Sequence, residues 1–370
     1  MWLISGVKSM SKIVISGFYG FHNIGDEAIL RTLTAEIKTM YPDTQITVLS
    51  NHPEETMMKF KVKAIDRSNA LKVFWTIFTS NVLISGGGSL LQDVTSARSI
   101  HYYLSIIRAG VLFRKRVVLL SHGIGPLIRE SNQKRVKRAL NKVDAITVRD
   151  YQSAALLKEI GVNMAKVSIT TDPVMAMPMS DIRLGADILK KLGDFSLNRK
   201  KIAIAVRQKD FRDPAHLDLL IALTAQLAEK YEVYYLPFYY KNDTKICTDL
   251  APYVGEHVHF VTEKYQSQDF MSLVQNMDLL IGARLHSLIF SLVAEVPFIG
   301  ISYDPKIENF LETIEKKPVC SIRNFDPVSI MEAVDSTFKN YTEEKDHIVK
   351  HKKALVAKLD ENHQILKRML

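Results

Sequence analysis

Cysteine is almost missing from this chain. Cys247 and Cys320 are the only two in 370 residues, and no CxxC pair occurs, which excludes a disulfide framework and argues against a zinc centre. A reducing cytoplasm is the natural compartment for such a composition. No run of 18 apolar residues occurs, so no segment reads as a membrane span. The opening "MWLISGVKSM" has a short apolar patch but no basic region before it and no small-residue cleavage pattern. Met10 begins "MSKIVISG", so the first nine residues read as an upstream start or a cloning remnant. Acidic residues are in mild deficit, 40 against 49 Lys and Arg, for a formal charge of +9. That surplus suits acidic small molecules, phosphates or an anionic membrane surface, and is too small to indicate nucleic acid.

The chain has an ordinary globular content of 47% hydrophobic and 24% charged residues. Its length exceeds one hydrophobic core, so two domains are expected. Short apolar runs at 12–16, 45–49, 81–85, 116–121, 145–149 and 167–171 alternate with helical stretches such as 26–40 and 97–110. That alternation predicts a parallel sheet covered on both faces, with ligands at the carboxyl ends of its strands. After the proline- and glycine-bearing stretch 172–200 the pattern restarts, with strand candidates at 201–207, 231–238, 258–262, 278–283 and 297–302. The expected fold class is therefore α/β, two Rossmann-like domains facing a cleft in a glycosyltransferase-B-like arrangement. The expected division is an N-terminal domain over 10–175, a linker over 176–200, a C-terminal domain over 201–340 and a C-terminal helix over 341–370. In that tail Ile348, Leu355, Leu359 and Leu366 keep a helical spacing and are expected to pack back onto the body, the alternative being a helix for a partner or a membrane surface.

Three glycine-rich strand exits mark the first half. "SGFYGFHNIGDEAIL" (16–30) places Gly17, Gly20 and Gly25 before a helix that starts near Asp26 and Glu27. Its spacing is not GxGxxG, which argues against a dinucleotide fingerprint. Gly20, His22 and Asn23 form a candidate binding loop, with Asp26 and Glu27 as helix caps or as working carboxylates. "VLISGGGSLLQD" (82–93) presents Gly86, Gly87 and Gly88 but no following Lys, so it is not a phosphate P-loop. "LLSHGIGPL" (119–127) puts His122 and Gly123 at a third exit. "AITVRD" and "AIAVRQKD" end strands with Arg149 and Arg207, each an ion pair or a ligand contact.

"GARLHSLIFS" (282–291) carries the strongest signal. Read as extended chain, Arg284 and His286 point the same way just before a helix expected near Ser287. A helix N-terminus is an anion site, Arg offers a planar fork for phosphate or carboxylate, and His can move a proton near neutral pH. "GISYDPKIENF" (300–310) adds Tyr303, Asp304 and Lys306 at the same edge. No DxD sits at a strand exit and the histidines are scattered, so no metal is expected.

Together "GFYGFHNIGDEA", "SGGGSLLQD", "SHGIGP", "TVRD", "TDPV", "AVR" and "GARLHSLIFS" resemble the polysaccharide pyruvyl transferase family, most closely bacterial enzymes that ketalise a secondary cell-wall polysaccharide. The resemblance spans about residues 13 to 310, in order. It implies transfer of a pyruvyl group from phosphoenolpyruvate to a sugar, commonly N-acetylmannosamine on a lipid-linked precursor, giving a 4,6-linked ketal and phosphate. By resemblance Arg284 and His286 match donor-binding and catalytic positions and Arg149 a further donor cation. Lys306 lies where another basic contact is looked for, and Asp26 or Glu27 is the expected base. No cofactor is implied beyond the donor itself.

Two other readings fit the residues: a nucleotide-sugar-dependent glycosyltransferase of the same fold, and a non-catalytic glycan-binding protein at a membrane surface. The basic runs "FRKR" (113–116) and "KRVKR" (134–138) are solvated faces or contacts to anionic lipid. The expected location is the cytoplasm or the inner face of the cell membrane, with no nucleic-acid partner.

Overall fold

The computed structural model describes residues 11–94, 99–193 and 199–370, so the expectation for the first nine residues lies outside the described residues. The chain forms two compact units. The first takes the chain through Phe21, then Ile29–Pro173 and Leu359–Leu370; the second takes His22–Ala28 and Val174–Lys358.

The first unit holds seven strands: β1 (Lys12–Ser16), β2 (Gln45–Ser50), β3 (Lys63–Asp66), β4 (Val82–Leu91), β5 (Arg116–Ile124), β6 (Ala145–Val148) and β7 (Val167–Ile169). They pair in parallel in the order β3-β2-β1-β4-β5-β6-β7. Strand alternation divides the core between the two faces. Ile13 and Ile15 pack with Leu30, Leu33 and Ile37 on one, while Val14 packs with Leu104 and Ile107 on the other. β3, "KAID", escaped the sequence reading because it is a four-residue edge strand with no fully buried position. β4 runs through Gly86–Gly88 to Leu91 and β5 runs through His122–Ile124, so both motifs expected in loops after a strand lie within one.

The second unit holds β8 (Lys201–Ala205), β9 (Glu232–Tyr235), β10 (Val258–Phe260), β11 (Leu279–Gly282), β12 (Phe298–Ser302) and the two-residue β13 (Cys320–Ser321). The order is β10-β9-β8-β11-β12-β13, again all parallel. "LLIG" and "FIGIS" are buried throughout, as strands covered on both faces must be. The chain moves outward from β8 on one side and from β11 on the other, so the topological switch point lies between these two central strands.

Three features differ from the expected division. The stretch expected as a linker holds a helix, Ile182–Lys191, packed in the second unit, where the Gly185 amide donates to Ser272 Oγ at 2.6 Å. A Cβ at Gly185 would stand 2.4 Å from the Ser272 carbonyl oxygen, so only glycine permits that approach. Residues 194–198 of the same stretch lie outside the described residues. The single long tail helix is instead two, Tyr341–Ala357 and Asp360–Met369. The last one buries Ile365 and Leu366 in the first unit's core, and Asn362 bridges β5 and β6 by donating to Ser121 Oγ and accepting from Thr147 Oγ1. Finally, residues 22–28 leave the first unit. Asn23 forms an antiparallel bridge with Tyr239, the Ile24 amide donates to the Phe238 carbonyl at 2.9 Å, and the Tyr240 amide donates to the His22 carbonyl at 3.2 Å.

Candidate active site

In the second unit, four parallel strands deliver polar side chains to one sheet edge: Tyr239 beyond β9, Arg207 at the exit of β8, Arg284 and His286 beyond β11, Tyr303 and Lys306 beyond β12. Arg207 and Arg284 leave the two switch-point strands, each two residues past the paired Ala205 and Gly282. This is the place where open α/β sheets bind ligands.

The helix after β11 begins at Leu285, earlier than the sequence suggested, with Arg284 as its extended N-cap residue. His286 therefore stands in the first helical turn and does not share a strand face with Arg284. Gly25 packs against the ring. A Cβ built there would lie 2.0 Å from His286 Nδ1 and 2.6 Å from His286 Cβ, so the glycine backbone abuts the imidazole directly. The bridge between Asn23 and Tyr239 thus carries Gly25 to His286 and, one residue on, Asp26 to the same cluster. Asp26, Arg284 and Asp243 all act on the Tyr239 phenol, which burial pushes up from its ordinary value; Asp26 raises it further and Arg284 opposes. Asn23 Oδ1 accepts from the Gly25 amide at 3.1 Å and steadies this turn. Glu27 is buried, with an oxygen 3.9 Å from His22 Nδ1.

Each arginine of this edge carries a carboxylate. Arg284 donates from Nε and Nη2 to Asp243 at 2.9 and 2.5 Å, and these are its hydrogen bonds among the described residues. Nη1 stays uncommitted, and the side chain keeps 19% of its surface. Asp243 is buried, and burial pushes its carboxyl up while Arg284 opposes. Arg207 makes the same fork with Asp210, at 2.6 and 2.5 Å, and its guanidinium lies 3.0 Å from the Tyr303 ring centroid. Such pairing orients the planar forks before any ligand arrives. Lys306 is looser, 3.7 Å from Asp304 and 5.0 Å from the Tyr303 centroid.

Lys209 was missed by the sequence reading. It is exposed, makes no ion pair among the described residues, and its ammonium is pulled below its ordinary value by burial, then by Arg207, with Arg284 adding to the effect. Among the described residues Lys209 is thus a cation of this edge without an ion-paired carboxylate, while its arginines are paired. "RQKD" contained the signal, two cations two residues apart at a strand exit. Tyr239 and Asp243 were also missed, because their proximity to Arg284 comes only from sheet order.

The remaining candidates lie in the first unit. Arg149, after β6, donates to Asp172 at 3.1 Å and to Ser89 Oγ at 2.9 Å, so the "TVRD" and "TDPV" motifs meet as an ion pair. Asp150 caps the following helix by accepting from the Ser153 amide. Gly87 and Gly88 have φ of 63° and 79°, a left-handed backbone that favours glycine. A Cβ at Gly86 would meet Tyr19 Oη at 2.6 Å, the same hydroxyl that donates to the Gly86 carbonyl. Gly20 (φ 77°) is closed in by Ser50 and the amides of Asn51 and His52. These glycines have packing reasons independent of any ligand.

His122 is fully buried, leaving no surface atom for a ligand. Its Nε2 lies 3.1 Å from the Ser85 carbonyl oxygen, which can only accept, so Nε2 carries the hydrogen of the neutral ring. Burial lowers its pKa from 6.5 to about 4; the Ser85 carbonyl opposes this and Arg149 adds to it. The unfolded chain therefore binds a proton in this window that the folded chain refuses. Stability should fall as pH drops from 6.5 towards 4, by roughly 3 kcal/mol at about 1.4 kcal/mol per pKa unit. Urea unfolding of His122→Gln should lose that slope; a slope identical to the parent's would place the linkage elsewhere.

Among the described residues no group of three or more His, Cys, Asp or Glu side chains is placed to hold a metal ion, and no helix is long and apolar enough to cross a membrane.

Comparison with known proteins adds to this geometry. The model of the polysaccharide pyruvyl transferase family matches residues 23–305, which include every side chain of the second-unit edge except Lys306 and His22. The amylovoran biosynthesis protein AmsJ of Erwinia amylovora is 20% identical, over 92% of this chain and 95% of its own. Solved structures of like fold include Anabaena Alr3699/HepE in complex with UDP-glucose (TM-score 0.65, 11% identity, 97% of this chain and 99% of that one). The UDP complex of S. aureus MnaA is another (TM-score 0.64, 12% identity, 92% and 91%), as is the UDP-GlcNAc-bound UDP-GlcNAc 2-epimerase of Neisseria meningitidis (TM-score 0.61, 13% identity, 95% and 100%). At these identities the likeness concerns fold alone, and it puts the two parallel-sheet units in the glycosyltransferase-B-like class.

Proposed function

The chain belongs to the polysaccharide pyruvyl transferase family, and from that premise we propose that it transfers the pyruvyl group of phosphoenolpyruvate to a sugar, closing a 4,6-ketal and releasing phosphate. The sugar is N-acetylmannosamine of a lipid-linked cell-wall precursor, and the enzyme works at the inner face of the cell membrane through peripheral contact. The observation that carries this reading is the edge of the second unit, where Arg207 and Arg284 both act on Lys209, Asp26 and Arg284 both act on Tyr239, and the Gly25 backbone abuts His286.

A phosphate and a carboxylate on a three-carbon donor require two separate cationic contacts. Arg284, with Nη1 open, and Lys209 supply them, and Arg207 on Tyr303 widens the positive field. One sugar hydroxyl adds to C2 of the donor while its proton passes to Asp26. His286 delivers a proton to C3, turning the methylene into the methyl group. The second hydroxyl then attacks C2 as the bond between C2 and the phosphate's bridging oxygen breaks; its proton passes to the departing phosphate, and inorganic phosphate leaves. No step needs an oxidant or a metal, so turnover is expected to survive EDTA.

The test is phosphate release from phosphoenolpyruvate with a synthetic lipid-linked disaccharide, and a product mass showing one pyruvate gained and one water lost. Release of a nucleoside diphosphate from a nucleotide-sugar, with phosphoenolpyruvate untouched, would overturn the proposal in favour of glycosyl transfer. Arg284→Ala should raise the donor KM roughly 10- to 100-fold, the worth of a hydrogen bond to a charged group. An unchanged KM and kcat would remove Arg284 from the donor site.

A further inference from the structure

The helix Ala70–Phe78 of the first unit turns an apolar side outward. Leu71, Phe74, Trp75 and Phe78 recur at i, i+3, i+4 and i+7 and are 85%, 40%, 66% and 51% exposed, while Val73 and Ile77 anchor the opposite side in the core. A surface helix ordinarily points its apolar stripe inward; this one has a second stripe facing water. The rings are contiguous. Trp75 lies 5.8 Å from Phe78, and Phe113, from the loop after the helix Ser99–Leu112, stands edge-on to Phe78 at 5.4 Å and to Phe74 at 6.5 Å. Leu112, next to Phe113 in the chain, is 75% exposed. Singly exposed apolar residues are commonplace, but a joined aromatic cluster marks a contact surface.

Its surroundings are mostly basic, although exposed Asp66 lies within electrostatic reach of Lys72. From Arg67 to Val118 the chain has one acidic residue, Asp93, against seven Lys and Arg. Asp93 is itself buried and occupied by the amides of Ile128 and Arg129 and the side chain of Asn132. Lys115 Nζ sits 5.5 Å over the Phe78 ring, with exposed Lys72 and Arg114 nearby in sequence. Adjoining Leu112 is a depression of about 510 Å³ lined by Arg108, Val111, Leu112, Arg138, Ala139 and Lys142. Three cations and three aliphatic side chains line it, and no acid does.

We infer that this face is a docking surface for an anionic phospholipid bilayer. Trp75, Phe74, Phe78 and Leu71 enter the boundary between headgroups and acyl chains, and Arg108, Arg138 and Lys142 receive a headgroup phosphate. Aromatic and leucine side chains rimmed by Lys and Arg are the composition that interface selects, and the rim matches the charge of an anionic leaflet. The inference deepens the peripheral-contact part of the proposed function, and it draws nothing from the donor chemistry.

The protein has two tryptophans, and Trp2 lies outside the described residues. A Trp2→Phe version of the full chain therefore reports on Trp75 alone. With vesicles of phosphatidylcholine and phosphatidylglycerol, Trp75 emission should shift to the blue and the protein should float with the vesicles. Pure phosphatidylcholine should bind it far less, and salt on the order of 0.5 M should release it. Trp75→Ser with Phe78→Ser should cut flotation at least about tenfold, and Arg138→Glu with Lys142→Glu should abolish the preference for phosphatidylglycerol. Both double variants should still release phosphate with a water-soluble acceptor. Absence of flotation, flotation unchanged in the apolar variant, or self-association that this variant abolishes would each overturn the inference. Vesicle binding lost with phosphate release intact sinks the docking surface and leaves the proposed reaction standing. Vesicle binding without turnover of phosphoenolpyruvate does the reverse.

Discussion

Replacing His286 with Gln is expected to lower kcat by roughly 10²- to 10⁴-fold, the usual contribution of a positioned general acid, with the donor KM close to the parent's. His286 occupies the first turn of the helix Leu285–Val293, two residues past Arg284, the proposed donor contact, and its ring is packed against the Gly25 backbone. A glutamine fills similar space and can hydrogen-bond, but it cannot carry a proton to C3 of the donor. Binding should survive and the chemical step should not. Steady-state kinetics with phosphate detection separates the two. Equal loss in KM and kcat would make His286 a binding residue, and full activity would exclude it from the reaction.

Gly25→Ala tests the same ring from the opposite side. The added methyl would stand 2.0 Å from Nδ1 and 2.1 Å from Cγ of His286, and 2.6 Å from its Cβ. Because the conflict reaches the Cβ, no rotation of the far end of a flexible side chain relieves it; either the histidine or the 22–28 segment must move. Displacing a catalytic group by about 1 Å can cost about 10²-fold in rate. A fall of that size in kcat is expected, and Gly25→Ser should behave alike. Gly25 lacks the positive φ of Gly20, so the substitution adds no left-handed backbone strain. If Gly25→Ala turns over at the parent's rate, the contact between Gly25 and His286 has no part in catalysis.

Much of the fold could be read before the structure, because parallel strands buried on both faces must be continuous apolar runs. "KIVIS", "VVLL", "IAIA" and "FIGIS" leave few alternatives, and their spacing with intervening helices implies two α/β units. β3 and β13 were illegible for the complementary reason: edge strands of four and two residues with partial burial carry no such run. The motif "GARLHSLIFS" was legible as a site because a cation and an imidazole at a strand exit are costly without a task. Its geometry was not. The helix starts one residue after Arg284, which undoes the shared face that an extended reading gave to Arg284 and His286.

Partners were harder still. Arg284 pairs with Asp243, 41 residues away, and Arg149 with Asp172, 23 residues away, and periodicity holds no information about either. The sharpest case is residues 22–28. Local pattern attaches them to the first sheet, since they follow β1 directly and open its helix. Two backbone hydrogen bonds and one bridge to Phe238–Tyr240 attach them to the second unit instead, and bring Gly25 and Asp26 to His286 and Tyr239.

The linear chain was thus enough to specify the layers of each unit and the chemical types at the strand exits, since these follow from burial and charge, properties that each short segment carries within itself. Which carboxylate faces which guanidinium, which glycine bears on the imidazole, and that an aromatic stripe on the helix Ala70–Phe78 faces water rather than the core were settled only when the strands paired. Sheet order and register bring together residues remote in the chain, and no local pattern encodes that proximity.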